Sequence, residues 1–399
     1  MARHLDTSAH STSGQGAPDA DAARARGAQG PASPARPTGR RRAEPAAPAT
    51  TEQIRALRKA RRAGTATGDP EPSVDVTLVR ADPALRVTDQ GLRVLPNVWE
   101  SEATLRASLG RQRPEAAPHR GMHRRVEFER VEVAGRPVVV ARPRAPFARE
   151  DAPVVVHWHG GAYVHPVSTT HWRWVEALIR RTGATVLVPG YGLAPEHTVD
   201  EALALADGVW ELARSLGQRV FVSGDSAGGG LAVAQAMGLR DAAASTPGRT
   251  APGVAASREA APGAAPSTGG ALGGLILISP WVDASVSNPE IENYRAADHM
   301  LDTEGPRAAA RWWAGTREVT DPVVSPAFGD LSGLPRTFVL QGDRDMLCPD
   351  TLEFVTDLVR AGVDTTTVVC EGGPHVYALM VWSSRAIQDL DRVVRWMGR

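Results

Sequence analysis

The sequence predicts an α/β protein whose central sheet is mostly parallel and is covered by helices on both faces. Apolar, β-branched segments alternate with amphipathic helical segments over most of residues 124–399. The strand segments are apolar throughout rather than on alternate residues, which is typical of parallel strands buried on both faces. Glycine-rich and polar motifs follow the ends of these strands, where parallel α/β sheets carry their binding sites.

The predicted elements follow one another in a regular order. A hairpin comes first, at residues 124–143, because two alternating apolar and polar runs flank Ala134-Gly135. Segments with helical spacing then separate short apolar segments rich in β-branched residues. The strands are VVVHW, ATVLVP, RVFVSG, GGLILIS, RTFVLQ and TTTVVC, and the helices are WRWVEALIRRTG, DEALALADGVWELARSLG, GLAVAQAMGLRD, TLEFVTDLVRAGV and SSRAIQDLDRVVRWMG.

Two low-complexity segments frame the predicted folded part. Residues 1–73 contain few large apolar side chains, so they cannot offset the entropy of ordering, and we predict a disordered tail. Within this tail, residues 51–64 are compatible with a short basic helix, which we interpret as solvated rather than docked on a membrane or an acidic partner. Residues 241–270 predict a disordered surface loop. Residues 74–399 remain as one domain.

Composition excludes several function classes. The 45 Lys and Arg residues balance the 45 Asp and Glu residues, which argues against nucleic acid or an anionic membrane as a partner. No apolar run approaches the roughly 18 residues that span a bilayer, and the N-terminus has no apolar signal core, so we expect no stable membrane insertion and a cytoplasmic location. Cys348 and Cys370 are too few for a disulfide framework; reduced thiols are favoured, and one bridge stays open. The histidines and cysteines lack metal-ligand spacing, so we expect neither metal nor cofactor.

The strongest motif is Gly224-Asp225-Ser226-Ala227-Gly228, a G-x-S-x-G sequence between a predicted strand and a predicted helix. This arrangement lifts a serine hydroxyl out of the sheet on a strained turn and places it at a helix N-terminus, which makes Ser226 a candidate nucleophile. The alternative is a glycine-rich helix entry with an idle serine. The flanking VFVS strand favours the nucleophile.

A second motif, His159-Gly160-Gly161-Ala162, follows the strand VVVHW. A serine that attacks a carbonyl creates an oxyanion, which needs N–H donors about 3 Å away. We predict the N–H groups of Gly160, Gly161 and Ala227 as these donors. His159, like His157 and His165, is interpreted as a structural residue rather than a general base.

The acid and the base are expected near the C-terminus. GDRDMLCPD follows the strand RTFVLQ and offers three carboxylates, at Asp343, Asp345 and Asp350. His375 follows the last predicted strand, where a general base can reach the serine. From these residues alone, the choice among the three carboxylates stays open.

Several motifs in the correct order resemble the hormone-sensitive-lipase group of bacterial esterases, which have the α/β-hydrolase fold. The resemblance covers roughly residues 120–399, and its chain order of serine, acid and histidine is that of this fold. It implies that Asp345 is the acid, with Asp343 as runner-up and Asp350 as a helix-capping residue. The matching sequences are HGGA, YGLAPEH, GDSAGG, VSPAFGDLSGLP, DMLCPD and the pair Pro374-His375.

The same resemblance implies a helical cap over the site, formed by about residues 78–113 and 281–323. The second segment carries Trp312, Trp313, Tyr294 and Met300, which suit an apolar acyl pocket. Two positions depart from the group's pattern. Gly192 replaces an arginine after the motif tyrosine, and Ala162 replaces a third glycine, which narrows the site by one methyl group.

These features predict a serine carboxylesterase that works through an acyl-enzyme on Ser226, with Asp345 and His375, and the resemblance implies short- to medium-chain esters as its substrates. The expected partner is a small-molecule ester, and a homodimer is compatible with the sequence. One alternative is an amide-cleaving N-deacylase of a small metabolite with the same triad. Another is a non-catalytic ligand-binding protein, which the presence of His375 disfavours.

Overall fold

The computed structural model describes residues 74–110, 115–245 and 271–399. The predicted tail, residues 1–73, and residues 246–270 of the predicted loop lie outside the described residues. Within the described ranges, nine strands form one sheet in the order β1-β9-β8-β7-β6-β4-β5-β3-β2. The strands are β1 (Val74–Arg80), β2 (Val126–Val133), β3 (Arg136–Pro143), β4 (Val154–Trp158), β5 (Thr185–Pro189), β6 (Arg219–Asp225), β7 (Ala271–Ile278), β8 (Thr337–Arg344) and β9 (Thr365–Pro374).

Within this sheet, only β3 runs in the opposite direction to the other strands. β2 pairs with β3, and β3 pairs with β5, in antiparallel register, and every other neighbouring pair is parallel. The turn of the β2–β3 hairpin contains Ala134 and Gly135, both with positive φ. The predicted hairpin and the mostly parallel sheet are therefore confirmed.

Helices cover both faces of the sheet. The apolar cluster on one face includes residues of α3 and α9, and the cluster on the other includes residues of α4, α5 and α8. Because both faces of the sheet are covered, every residue of β4 is buried, whichever face its side chain lies on. The helices are α1 (Pro83–Leu92), α2 (Glu102–Leu109), α3 (Thr169–Thr182), α4 (Val199–Leu216), α5 (Ala227–Ala244), α6 (Ile291–Arg295), α7 (Glu304–Ala314), α8 (Cys348–Arg360) and α9 (Ser384–Met397).

The structure differs from the sequence prediction at one strand and at one helix end. β1 was not predicted; it pairs in parallel with β9 and extends the sheet, so the segment assigned to a cap from residue 78 begins inside an edge strand. α5 continues to Ala244, so residues 241–244 of the predicted loop are helical. Alanine has the highest helix propensity, which accounts for the extension through three consecutive alanines.

The two segments predicted to form a cap contact each other. Arg311 of α7 forms an ion pair with Glu102 of α2 at 2.8 Å, and the Arg106 guanidinium lies 4.3 Å from the ring centroid of Trp312. A side chain at Gly305 would collide with the Trp99 backbone, so α7 begins in direct contact with the segment before α2.

Two further expectations concern membranes and thiols. None of the helices in the described ranges has both the length and the hydropathy that a membrane span requires. Cys348 and Cys370 are both buried and both free, so the bridge that the sequence left open does not form.

Candidate active site

Ser226 lies on a sharp turn between β6 and α5. Its backbone has φ 51° and ψ −124°, which places a non-glycine residue in a strained region. A Cβ atom at Gly224 would collide with the Gly228 carbonyl, and one at Gly228 would collide with the Trp158 carbonyl. The two motif glycines are therefore required by close backbone packing, and the turn that they permit holds the Ser226 side chain at the end of the sheet.

His375 lies between Ser226 and Asp345. Its Nε2 atom is 3.0 Å from Ser226 Oγ, and its Nδ1 atom is 2.9 Å from Asp345 Oδ2. With the Nδ1 proton donated to the carboxylate, Nε2 is free to accept the serine proton. Burial lowers the pKa of His375, but the Asp345 charge and hydrogen bond outweigh it, and the pKa lies above its ordinary value. The arrangement can remove a proton from the hydroxyl.

The three candidate carboxylates have different surroundings. Asp345 accepts hydrogen bonds from Gln341 Nε2 at 2.8 Å and from the Leu347 N–H at 2.9 Å, which fix its orientation toward His375. Asp343 accepts the Gly372 N–H at 2.6 Å instead. Asp350 lies in the first turn of α8, but no side chain caps this helix, so the predicted capping role is wrong.

The backbone of the loop after β4 is fixed by side chains. Tyr191 donates its hydroxyl to the His159 carbonyl at 2.8 Å and stacks on the His159 ring at 4.5 Å, and His159 Nδ1 donates to the Gly160 carbonyl at 2.8 Å. Because the peptide is planar and trans, this last bond also fixes the direction of the Gly161 N–H. Burial lowers the pKa of His159 to about 3, so the ring is neutral and acts as the predicted loop-ordering residue.

The N–H groups of this loop differ from the prediction at one position. The Gly160 N–H donates to Asp225 Oδ1 at 3.1 Å, so it already has an acceptor. The N–H groups of Gly161, Ala162 and Ala227 have no acceptor among the described residues. Gly161 has φ 116° and Ala162 has φ 51°, so both lie in the left-handed region of the backbone.

Comparison with known proteins agrees with this geometry. Residues 155–379, more than half of the chain, match the alpha/beta hydrolase fold family. The chain belongs to this family. It is 30% identical to an acetyl-hydrolase of Streptomyces hygroscopicus over 63% of this chain and 76% of that protein. It is also 31% identical to a triacylglycerol lipase of Mycobacterium tuberculosis over 57% of this chain, but it spans only 40% of that protein.

A solved structure extends the agreement over the fold. EstE5, soaked in ethyl alcohol, has a TM-score of 0.62 and 24% identity, with coverage of 79% of this chain and 98% of that one. At this identity the likeness concerns the fold. A hormone-sensitive lipase from a metagenome library also matches, with a TM-score of 0.59. The predicted resemblance to this group and the predicted α/β-hydrolase fold are confirmed.

One buried carboxylate of this hydrolase was missed by sequence reasoning. Asp298 accepts the N–H groups of Met300 and Leu301, and its Oδ2 accepts the Met346 N–H at 2.9 Å, directly after Asp345. Burial and the nearby Asp345 charge raise its pKa to about 6. Asp298 thus connects the segment before α7 to the loop of the acid. No motif surrounds it in the sequence, so only the fold reveals it.

The structure also explains the departure at Gly192. A Cβ atom there would collide with the His197 ring, which fills the space beside the backbone. His197 in turn contacts Glu201 at 2.6 Å through Nδ1. A larger residue at position 192 would have to displace His197, so the loop of this chain packs His197 against the Gly192 backbone.

The four residues predicted to line an acyl pocket differ in how deeply they are buried. Trp313 and Tyr294 are fully buried, and Trp313 stacks on Tyr163 at 4.2 Å with an interplanar angle of 2°. These two rings therefore belong to the apolar core. Trp312 and Met300 are half-buried at the edge of the same cluster.

Proposed function

We propose that the protein is a serine carboxylesterase that hydrolyses short- to medium-chain carboxylic esters of small molecules. The single observation that carries the proposal is His375, whose two ring nitrogens lie within hydrogen-bond distance of Ser226 and Asp345. The names of the relatives, an acetyl-hydrolase and a triacylglycerol lipase, support hydrolysis of ester bonds.

The reaction proceeds in two acyl-transfer steps. His375 takes the Ser226 proton while Oγ attacks the ester carbonyl, and Asp345 stabilises the imidazolium that forms. The tetrahedral intermediate collapses as His375 delivers the proton to the leaving alcohol. Water, activated by the same histidine, then attacks the acyl-enzyme, and the acid leaves with Ser226 protonated again.

The oxyanion donors that we propose are the N–H groups of Gly161, Ala162 and Ala227. This set replaces the predicted Gly160 with Ala162, because the Gly160 N–H is already bonded to Asp225. Ala227 is the first residue of α5, where an N–H group has no acceptor within the helix and the helix dipole favours negative charge. Each donor that strengthens its bond in the transition state lowers the barrier.

The test is hydrolysis of a p-nitrophenyl ester series from acetate to palmitate, with the matching anilides as amide substrates. Wild type is expected to turn over the short esters and to leave the anilides nearly untouched. Ser226→Ala and His375→Ala are expected to abolish turnover while the protein stays folded. Turnover that survives in Ser226→Ala, or cleavage of anilides in preference to esters, would overturn the proposal.

We further propose a cytoplasmic location. Two free, buried thiols suit a reducing compartment, since disulfides are rare in the cytosol. Fractionation of cells that express the full chain tests this, and recovery in the medium or the envelope would contradict it. The homodimer stays a prediction, which light scattering of the purified protein would test.

A further inference from the structure

A second buried histidine–carboxylate contact lies next to the loop after β4, residues 159–163, which is called the oxyanion loop below. His171, in the first turn of α3, places Nε2 at 3.3 Å from Asp225 Oδ2. Asp225 precedes Ser226 in the chain and is 2% exposed, and His171 is 8% exposed. The reaction proposed above uses neither residue.

The hydrogen bonds of His171 decide which of its nitrogens carries the proton. The Ser168 N–H donates to Nδ1 at 2.8 Å, and the Ser168 hydroxyl lies 2.9 Å from the same atom. An atom that accepts a backbone N–H has no proton of its own, so the proton of the neutral ring is on Nε2. His171 is therefore a donor to Asp225. It cannot act as a base for Ser168, because the Nδ1 lone pair is already engaged.

Asp225 transmits this contact to the loop. Its Oδ2 faces His171, and its Oδ1 accepts the Gly160 N–H at 3.1 Å and lies 3.4 Å from His157 Nε2. Burial alone would raise the pKa of Asp225, but the two histidines lower it below its ordinary value, so the carboxylate is charged. Two further titratable groups near it are neutral: burial lowers the pKa of His159 and raises the pKa of Tyr191.

We propose that His171 is a positioning residue for the oxyanion loop: by donating to Asp225 Oδ2 it orients the carboxylate whose Oδ1 holds the Gly160 N–H. This inference rests on the proposed esterase function, since it assigns the loop's N–H groups to the oxyanion. His171 touches no reacting atom and acts only through Asp225.

The backbone of the loop gives the reason that such a tether is needed. Gly161, Ala162 and Tyr163 have φ values of 116°, 51° and 62°, three successive residues outside the regions that L-residues prefer. The hydrogen bond at Gly160 fixes the backbone immediately before this strained stretch. Without an oriented Asp225, the peptide before Gly160 loses this tether, and only the His159 bond to the Gly160 carbonyl still holds the Gly161 N–H. The oxyanion donors can then shift, and misplacement of about 1 Å can cost on the order of 100-fold in rate.

The experiment compares His171→Ala, which removes the donor, with His171→Gln, whose amide N–H can replace it. The matched control is His119→Ala, which removes another histidine–carboxylate contact to α3, the 2.9 Å pair with Glu176. The measurements are kcat and KM for p-nitrophenyl acetate, and hydrogen exchange of the Gly160 amide. We expect His171→Ala to lower kcat about 10- to 100-fold with KM within about twofold, and to lose Gly160 protection. His171→Gln recovers most of both, and His119→Ala changes neither.

Three results would overturn the inference: wild-type kcat and Gly160 protection in His171→Ala, equal losses in His171→Gln and His171→Ala, or an equal loss in His119→Ala. The exchange measurement also separates this inference from the proposed function. If wild type hydrolyses no ester, the esterase proposal fails, whereas Gly160 protection that is lost in His171→Ala and kept in His171→Gln still upholds the positioning contact.

Discussion

His375 contacts Asp345 and leaves Asp343, only two positions earlier, without a role at the imidazole. The Nδ1–Oδ2 distance to Asp345 is 2.9 Å, whereas the Asp343 carboxylate accepts the Gly372 N–H. The difference arises at the end of β8, where Gln341 and the Leu347 N–H hold Asp345 in place. The motif offered both carboxylates, and the hydrogen bonds around them distinguish the two.

This difference predicts unequal effects of two matched substitutions. Asp345→Asn keeps the shape but places an amide beside Nδ1, which favours the wrong tautomer of His375, so kcat is expected to fall by about 10⁴-fold. Asp343→Asn is the control and is expected to change kcat by less than about tenfold. Steady-state kinetics with p-nitrophenyl acetate measures both. A larger loss in Asp343→Asn than in Asp345→Asn would assign the acid to Asp343.

The pKa of His375 predicts the acid limb of the pH profile. The base must be neutral to accept the serine proton, so kcat/KM rises with pH through the pKa of His375. Burial lowers this pKa, but Asp345 raises it by a larger amount. The midpoint of the rise in kcat/KM is therefore expected above the ordinary value of 6.5. His159 does not titrate in this range, since its pKa is about 3. Rates measured between about pH 5 and 9 test this, and a midpoint below the ordinary value would contradict it.

Ala162 predicts a change in alcohol specificity. Ala162 has a left-handed backbone and comes two residues after Gly160, where a Cβ atom would lie 3.0 Å from Ser226 Cβ. We therefore expect Ala162→Gly to relieve local strain and to widen the site. We expect kcat/KM for tert-butyl acetate to rise relative to ethyl acetate by about 10-fold, the order that a methylene-sized change in a pocket produces. Ala134→Gly is the matched control, because Ala134 also has positive φ, at 48°, but lies in the β2–β3 turn. An equal ratio in the two variants would exclude a steric role for Ala162.

Asp350 predicts that one substitution stabilises the fold. Its Oδ2 is buried with no hydrogen-bond partner among the described residues, and burial, aided by Asp283, raises its pKa to about 7 from 3.8. A raised carboxyl pKa means that the folded state holds its proton more tightly, so stability falls as pH rises between these two values. Asp350→Asn removes this penalty and is expected to raise the free energy of unfolding at pH 8 by ~1–4 kcal/mol.

Denaturant unfolding at pH 5 and pH 8 measures this effect, which is expected to be smaller at pH 5. Asp357→Asn, on the same helix, is the control, because Asp357 forms an ion pair with Arg360 and is 42% exposed. We expect it to change stability by less than about 1 kcal/mol. Destabilisation by Asp350→Asn at pH 8 would show that the hydrogen bond from Asn288, which lowers the pKa of Asp350, outweighs the effects of burial and of Asp283.

Sequence patterns could locate the residues that follow strand ends. They failed where a contact between distant parts of the chain determines what a residue does. Short motifs place Ser226 and His375 at the ends of β6 and β9, and the structure brings the two side chains to 3.0 Å. For Gly160 the sequence predicted an oxyanion donor, but the structure gives its N–H an acceptor, Asp225, that is 65 positions away in the chain. Asp298 carries no local signal at all, since its three donors come together only in the fold.

The edge strand β1 shows the same limit for the fold. Its sequence, VDVTLVR, alternates apolar and polar residues over its first five positions, which favours a strand, but it is short and follows a low-complexity segment, and the sequence prediction missed it. Its partner β9 lies almost 300 residues later, with Val74 opposite Thr365. Long-range pairing of this kind depends on the assembled sheet rather than on local pattern, which is why helices and central strands were easier to predict.

The claim that Ser226 is the nucleophile is tested most directly by labelling the protein with a fluorophosphonate, followed by mass spectrometry of its peptides. The account predicts one adduct, on Ser226, which forms rapidly in wild type and at least about 10³-fold more slowly in His375→Ala, because the base that activates the hydroxyl is gone. An adduct on a different residue, or none on folded wild-type protein, would contradict it.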